Sequence, residues 1–96
     1  MIEIEWTEDS KDDYEKLEGS QRVFVDKAIA RIKVHGMNAG ESLSGNLTGC
    51  NKLKNKKMGL RVIFREVEGK VEVIQIIVIG KRRNKLVYKT AAKRIK

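Results

Sequence analysis

The sequence has no proline, one cysteine, one histidine and one tryptophan among its 96 residues. A single cysteine, Cys50, cannot form an internal disulfide, which is typical of a protein in a reducing compartment. One cysteine and one histidine also exclude a zinc site built from four such ligands. No apolar run approaches the ~20 residues that span a bilayer, and the acidic, alternating start does not resemble a signal peptide. We therefore expect a cytoplasmic protein without a membrane segment.

The length and composition predict one small globular domain over residues 1–96. Hydrophobic residues make up 41% of the chain and charged residues 35%, a balance typical of folded rather than disordered proteins. The chain is too short for a second domain of ordinary size. A domain this small buries a limited fraction of its surface, so its core must be modest.

Acidic residues are scarce in the second half of the chain. Residues 49–96 contain 15 of the 21 lysines and arginines but 3 of the 13 aspartates and glutamates, and the whole chain has a net charge of +8. Such segregated positive charge indicates a face that binds a polyanion. The alternative is a basic surface that serves solubility and has no partner.

Hydrophobic periodicity and turn residues predict the element order β-α-α-β-β-β-α. The predicted segments are a strand at 2–6, helices at about 7–17 and 20–36 with caps at Thr7 or Asp9 and at Ser20, a loop at 37–49, strands at 50–57, 60–67 and 70–79, and a C-terminal helix from Leu86. This order predicts an α+β fold in which a helical hairpin packs on a small twisted antiparallel sheet. The partner of the first strand stays open.

The first predicted hairpin separates charged from apolar side chains. A two-residue turn at Met58-Gly59 would pair Lys56 with Arg61, and strand alternation would then place the cations on one face. This cationic face comprises Lys52, Lys54, Lys56, Arg61 and Arg65. The predicted apolar face comprises Leu53, Leu60, Val62 and Phe64, continued by Val71, Val73 and Ile77 after a second turn at Glu68-Gly69. The cationic face indicates phosphate binding; the alternative is a solvated face that prevents aggregation.

The C-terminal segment adds more cations and one tyrosine. Lys81, Arg82 and Arg83 follow the last predicted strand, where they would converge on the cationic face. Tyr88 has two interpretations: a core residue at helical spacing with its neighbours, or a phenol whose pKa the cations lower so that it acts as a base. We expect His35 to be a helix-terminal residue and Cys50 a small buried side chain.

Several motifs in the second half occur together. They are Cys50-Asn51-Lys52-Leu53-Lys54, Met58-Gly59-Leu60-Arg61, Gly80-Lys81-Arg82, and Val87-Tyr88 followed by Ala92-Lys93-Arg94-Ile95. This combination resembles the RelE toxins of the RelE/ParE toxin–antitoxin superfamily, and the similarity is densest over residues 50–95. Two departures from that pattern are Asn51, where an aromatic residue is expected, and a spacing between Arg61 and Arg82 that is one residue longer.

The resemblance implies a ribosome-dependent messenger RNA interferase. Such a toxin cleaves mRNA in the ribosomal A site without a metal or another cofactor, by attack of the 2′-hydroxyl, and so inhibits translation. The resemblance implies that Tyr88 is the base, that Arg82 stabilises the transition state, and that the phosphate is held by Lys52, Lys54 and Arg61. The remaining cations are expected to contact RNA, namely Lys56, Lys57, Arg65, Lys81, Arg83 and Lys85.

The expected partners are a RelB-like antitoxin protein, the ribosome and mRNA. The antitoxin would cover the helical hairpin or the basic face with an acidic or amphipathic segment. Two other functions stay open. One is a ParE-like toxin that inhibits DNA gyrase, and the other is a basic RNA-binding domain without catalytic activity.

Overall fold

The computed structural model describes residues 2–70 and 72–95 and has three helices and a five-stranded sheet in that part of the chain. The elements are β1 (Glu3–Trp6), α1 (Glu8–Glu15), α2 (Gly19–His35), β2 (Glu41–Ser42), β3 (Cys50–Asn55), β4 (Leu60–Glu66), β5 (Val73–Lys81) and α3 (Leu86–Arg94), with 3₁₀ turns at Gly36–Asn38, Gly45–Leu47 and Arg83–Lys85. The α+β fold is confirmed. The short strand β2 lies inside the segment that was predicted as a loop. None of the described helices has the length and apolarity needed to cross a membrane.

The sheet has the strand order β1-β5-β4-β3-β2. Strand β4 runs antiparallel to β3 and to β5, as the hairpin signals predict, and β2 runs antiparallel to β3. Strand β1 joins the other edge and runs parallel to β5, which is the pairing that the sequence left open. A parallel neighbour needs a long crossover, and the chain between β1 and β5 supplies it.

The two helices after β1 begin at different cap residues. Of the two predicted caps, Thr7 rather than Asp9 begins α1: its Oγ1 accepts from the Ser10 N–H at 2.9 Å, and the Thr7 N–H donates to the Ser10 hydroxyl at 3.0 Å. Helix α2 begins one residue before Ser20, with Glu18 as its N-cap. Ser20 is therefore inside the helix rather than its cap, because Gly19 adopts a positive φ of 50° and turns the chain there. Gly36 ends α2 as predicted.

The main core lies between α2 and one face of the sheet. The strand residues in it include Leu53, Leu60, Val62, Phe64, Ile74, Ile76 and Ile79. Helix α2 contributes Val25, Ala28 and Ile32, which are almost fully buried and spaced three and four residues apart. That spacing places the three side chains on one face of a helix, so the amphipathic pattern determines which side of α2 meets the sheet.

A second, smaller core lies on the opposite face, where the sequence predicted cations throughout. It contains Leu47, Cys50, Ile63, Ile77, Val78, Val87 and Ala91. Helix α3 covers it, so only part of this face is left to charged side chains. Cys50 is buried as expected, and burial raises the pKa of its thiol.

The first hairpin has a different register from the predicted one. Asn55 pairs with Leu60 and Lys54 with Arg61, so the loop comprises residues 56–59 rather than two residues. The prediction is wrong by two residues because the Asn55 side chain accepts from the Met58 N–H at 3.0 Å and closes the turn earlier. A slip of two residues leaves every side chain on its predicted face, but it places Lys56 in the loop.

The second hairpin contains a bulge that changes the face of several residues. Ile63 pairs with Val78 and the next β4 residue, Phe64, pairs with Ile76, so Ile77 has no paired residue on β4. Ile74 and Ile76 face the main core. The prediction placed Val73 and Ile77 there because a two-residue turn at Glu68-Gly69 would pair Phe64 with Val73, whereas Phe64 pairs with Ile76. An extra residue reverses strand alternation, and hydrophobic spacing cannot reveal it in a run of apolar residues. Val71 is outside the described residues.

Gly40 provides a test of how β2 is held beside β3. Its φ is +76°, and a Cβ added there would meet the backbone carbonyl oxygen of Lys52 far inside normal contact. We expect Gly40→Ala to lower the free energy of unfolding by about 1–3 kcal/mol more than Gly45→Ala, the range for overpacking. Gly45 also has a positive φ (+65°) but has open space around it, so it controls for backbone strain. Urea denaturation of both variants measures the difference, and equal losses would contradict the close approach.

Candidate functional site

The candidate site is at the end of the sheet where β3 and β4 meet the start of α3. Lys54 on β3 pairs directly with Arg61 on β4, and Lys52 is two residues further along β3 on the same face. Tyr88 belongs to the first turn of α3. The structure thus brings together four of the five residues that the resemblance implied for catalysis, from three elements.

Arg61 is a buried cation without an acidic partner. Its residue is only 6% exposed, and its Nη1 donates to the carbonyl oxygens of Leu60 at 3.0 Å and Asn55 at 3.5 Å. Its Nε has no hydrogen-bond partner, and in the described part of the chain no carboxylate forms an ion pair with it. Burying an unpaired charge costs free energy. The guanidinium therefore has a donor that the described residues leave unused.

Tyr88 packs against the second core and also contacts the cations of the site. The residue is half-buried and packs against the second core, while its hydroxyl accepts a hydrogen bond from Lys52 Nζ at 3.3 Å. Burial, the largest single contribution, raises the pKa of the phenol. The hydrogen bonds and charges of Arg61 and Lys52 outweigh burial and leave the pKa below its ordinary value. The cations thus favour the phenolate.

Glu41 is a member of the site that sequence reasoning missed. Its Oε1 lies 3.1 Å from Lys54 Nζ, on the exposed strand β2. The Lys54 hydrogen bond and charge, followed by the charges of Lys52 and Lys56, lower the pKa of Glu41 and keep it ionised. No sequence signal marked Glu41, because β2 is two residues long and was predicted as loop. Lys54 thus already forms an ion pair with a carboxylate of the chain.

The cations after β5 lie close to the same end of the sheet. Lys81 pairs with Leu60, and the Arg82 N–H donates to the Gly59 carbonyl oxygen at 2.9 Å, so this segment adjoins the loop at 56–59. These cations are all exposed: Lys56, Lys57, Lys81, Arg82, Arg83 and Lys85. We call these six exposed cations at one end of the sheet the cationic rim. Lys81 does not converge on the predicted cationic face, because it pairs with Leu60 and shares the main-core face with it.

Arg65 is not brought to this site. It pairs with Cys50 and Gln75 at the far end of β4, and its Nε donates to Gln75 Oε1 at 3.3 Å. Gln75 in turn donates to Glu5 Oε1 at 2.7 Å. Arg65 shares a face with Arg61, but the apolar second core separates the two. The sequence predicted one continuous row of cations and could not reveal that α3 interrupts it.

Asn51 faces away from the site. It pairs with Phe64 and is 6% exposed, and its Nδ2 donates to the carbonyl oxygens of Met37 at 2.7 Å and Ala39 at 3.2 Å. The side chain holds the loop before β2 in place. An aromatic residue here would point into the main core, so Asn51 removes no base-stacking surface from the site in this structure.

His35 lies outside the site, and the described residues form no candidate metal site. His35 is exposed and ends α2, as expected. Over residues 2–70 and 72–95 there is no group of three or more histidine, cysteine or acidic side chains that could hold a metal ion.

Comparison with known proteins shows the fold. No protein-family model matches the sequence, and no curated protein matches it. A double arginine-to-alanine variant of the E. coli toxin RelE in the free state superposes with a TM-score of 0.81 at 24% identity, over 99% of this chain and 98% of that one. The intact E. coli RelBE toxin–antitoxin complex matches with a TM-score of 0.71 at 22% identity, over 84% of this chain and 96% of that one. The chromosomal ParDE toxin–antitoxin system of P. aeruginosa matches at 0.53 and 18%, over 84% and 96%. The chain has the RelE fold, as its motifs predicted.

The phenol of Tyr88 provides a direct test of the site's electrostatics. In a Tyr14→Phe background Tyr88 is the only tyrosine, since the chain has two. We expect its phenolate absorbance to develop below the ordinary pKa of about 10, and Lys52→Gln to move the titration upward because a cation and a hydrogen-bond donor are lost. Lys56→Gln, the same charge change on the exposed loop, should have a much smaller effect. A Tyr88 that titrates at or above 10 would contradict the arrangement.

Proposed function

We propose that this protein is the toxin of a type II toxin–antitoxin module and acts as a messenger RNA interferase. It is an endoribonuclease that cleaves mRNA in the ribosomal A site, in the cytoplasm and without a metal ion, and residues 1–96 form a single RelE-like domain. The observation that carries the proposal is the buried, unpaired Arg61 beside Lys52 and Tyr88. The RelE fold is consistent with it.

A phosphodiester is a suitable acceptor for the unpaired Nε–H group of Arg61. A guanidinium presents N–H groups in a rigid fork that matches phosphate oxygens, and Arg61 Nε is without a partner in the structure. An entering phosphate would be the counterion that this buried charge lacks. Because the carbonyls of Leu60 and Asn55 already hold Nη1, the cation is oriented before substrate arrives. Such preorganised charge stabilises a transition state more than flexible surface charge does.

The proposed reaction is an intramolecular transesterification. The 2′-oxygen of the RNA forms a bond to the adjacent phosphorus while the bond to the 5′-oxygen breaks, which leaves a 2′,3′-cyclic phosphate and a 5′-hydroxyl end. Tyr88, as phenolate, takes the proton of the 2′-hydroxyl. Lys52, Lys54 and Arg61 stabilise the charge that develops on the phosphoryl oxygens. The departing oxygen takes a proton from water, and Arg82 stabilises its negative charge.

The cationic rim would bind the RNA of a ribosome that holds the messenger in place. Its exposed side chains are suited to phosphates of mRNA and ribosomal RNA, and such contacts position a strand without reading its sequence. The proposed site has no histidine pair, so in-line placement of the 2′-oxygen must supply much of the rate enhancement. A messenger fixed in the A site provides that placement. The ribosome would thus complete the active site by orienting its substrate.

We propose a RelB-like antitoxin as the second partner. The RelBE complex that shares this fold pairs a toxin with its antitoxin. The net charge of +8 and the cluster of cations in the second half favour an acidic or amphipathic segment in the bound antitoxin. Such a segment would compete with RNA for the cationic rim.

A ParE-like inhibitor of DNA gyrase is the second candidate. The similarity to the ParDE system favours it, because the fold alone does not distinguish the two activities. The convergence of Arg61, Lys52 and Tyr88 favours the nuclease, since a protein that only binds gyrase has no need of a phenol with a lowered pKa. A basic RNA-binding domain without activity is the third possibility.

The test is a cleavage assay on ribosomes programmed with a defined messenger. We expect a cut inside the A-site codon with a 2′,3′-cyclic phosphate end, and no cut in the same RNA without ribosomes. Inhibition of DNA supercoiling with intact messenger would instead support the gyrase candidate. RNA binding without either effect would support the non-catalytic domain.

Two matched pairs of variants test the assigned roles. Tyr88→Phe should lower kcat by roughly 10²–10⁴-fold, the usual contribution of a general base, whereas Tyr14→Phe should leave it near the unsubstituted value. Arg61→Ala should abolish most of the cleavage, whereas Arg65→Ala, on the same strand and face, should reduce it little. Full cleavage by Tyr88→Phe would refute the proposed base.

Glu41 predicts a change in RNA affinity. Glu41→Gln removes the carboxylate from Lys54 and one negative charge from the site, so we expect the Kd for a short single-stranded RNA at fixed salt to fall about two- to five-fold, within the range of one exposed ion pair. Glu66→Gln, the same charge change at the far, exposed end of β4, is the control. Fluorescence anisotropy measures both. An equal gain in the two variants would indicate net charge rather than release of Lys54.

A further inference from the structure

Strand β5 extends beyond its edge partner. Strand β1 pairs with β5 only from Val73 to Ile76, whereas β5 continues to Lys81. From Ile77 onward, the side of β5 away from β4 therefore has no neighbouring strand in the described sheet. Backbone groups on an open edge need other partners.

Two side chains from opposite ends of the chain supply those partners. The Ile79 N–H donates to Asp13 Oδ2 at 3.1 Å, and Arg94 Nη1 donates to the Ile77 carbonyl oxygen at 2.9 Å. Asp13 belongs to α1 and Arg94 to the last turn of α3. We call this four-residue arrangement the edge clasp.

The clasp is also a two-contact ion pair. Arg94 Nη1 donates to Asp13 Oδ2 at 2.7 Å, and Nη2 donates to Oδ1 at 3.3 Å. The Arg94 and Asp13 side chains are 22% and 15% exposed, so solvent screens them less than an open surface pair. The hydrogen bonds that Asp13 accepts from Arg94, together with the charges of Asp13, Asp9 and Asp12, raise the pKa of Arg94, although burial lowers it.

Helix α3 needs such a tether because it is short. It has nine residues, fewer than an isolated helix needs to be stable in water. Its buried contacts are Val87 and Ala91 in the second core, and Arg94 is its last residue. Tyr88 is on the same helix, six residues earlier. The direction of α3 over the sheet therefore determines whether the Tyr88 hydroxyl meets Lys52.

We propose that Asp13 and Arg94 are positioning residues for Tyr88: the edge clasp holds α3 against β5 so that the Tyr88 hydroxyl stays beside Lys52 and Arg61. Neither residue touches the site itself. The consequence for cleavage rests on the proposed function, whereas the placement of Tyr88 does not. The two can be measured separately.

The first measurement is the titration of Tyr88 in the Tyr14→Phe background, which needs no ribosome. The charged groups that face the phenol are Lys52 on β3 and Arg61 on β4. We expect Arg94→Gln to raise the Tyr88 pKa to near its ordinary value of about 10, because a displaced α3 carries the phenol away from both cations. Lys93→Gln, the same charge change at an exposed position of α3, controls for loss of charge alone.

Milder variants keep the test valid if Arg94→Gln does not fold. Asp13→Asn retains an acceptor for the Ile79 N–H but removes the charge, and Arg94→Lys retains the charge but loses the fork. Both should fold, as judged by circular dichroism, and both should raise the Tyr88 pKa by less than Arg94→Gln. A Tyr88 pKa that is unchanged in these folded variants, or raised equally by Lys93→Gln, would overturn the proposal.

The second measurement is the ribosome cleavage assay. Arg94→Gln should lower kcat at least ten-fold with little change in KM, and it should have no further effect in the Tyr88→Phe background, because Arg94 acts through Tyr88. An equal loss in both backgrounds would show a merely structural role and overturn the proposal. If the unsubstituted protein does not cleave mRNA, the proposed function fails, while the titration still decides whether the clasp positions Tyr88.

Discussion

The packing of helix α3 on the second face of the sheet is the interaction on which the candidate site depends. Val87 and Ala91 bury against Ile63 and Val78, and this contact brings Tyr88 to the end of β3 where Lys52 lies. Hydrophobic contact has no preferred direction. The orientation of so short a helix must therefore come from directional bonds, and the Arg94 guanidinium provides them at the other end of α3.

The central strand β4 explains how a cation can be buried in so small a protein. Val62 and Phe64 face the main core, and Ile63 faces the second core, so β4 is covered on both sides. Arg61 is at the end of this covered stretch and is 6% exposed. Among residues 2–70 and 72–95, no acidic side chain forms an ion pair that offsets its desolvation. The burial of Arg61 therefore lowers the stability of the fold, and such locally unfavourable residues are common in binding and catalytic sites.

The positive charge is organised in two tiers with different physical roles. Arg61 and Lys52 are held by neighbouring carbonyls and by the Tyr88 hydroxyl, so their charge acts locally and is weakly screened. The exposed cations of the loop at 56–59 and of residues 81–85 act over longer distances and are screened by salt. The first tier is suited to a reacting phosphate, and the second to attracting and aligning a polyanion.

The sequence by itself determined the α+β class and the faces of β3 and of the start of β4. These follow from local rules: alternation in strands, helical spacing, and cap and turn residues such as Thr7 and Gly36. Four residues of the candidate site, Lys52, Lys54, Arg61 and Tyr88, came instead from the resemblance of the motifs to the RelE toxins. Only the tertiary structure decided the parallel pairing of β1, the bulge at Ile77, and the separation of Arg65 from Arg61. It alone also placed Glu41 on Lys54 and Arg94 on Asp13. Those contacts join residues distant in sequence, and the free energy that selects them arises only when the sheet and α3 are packed together.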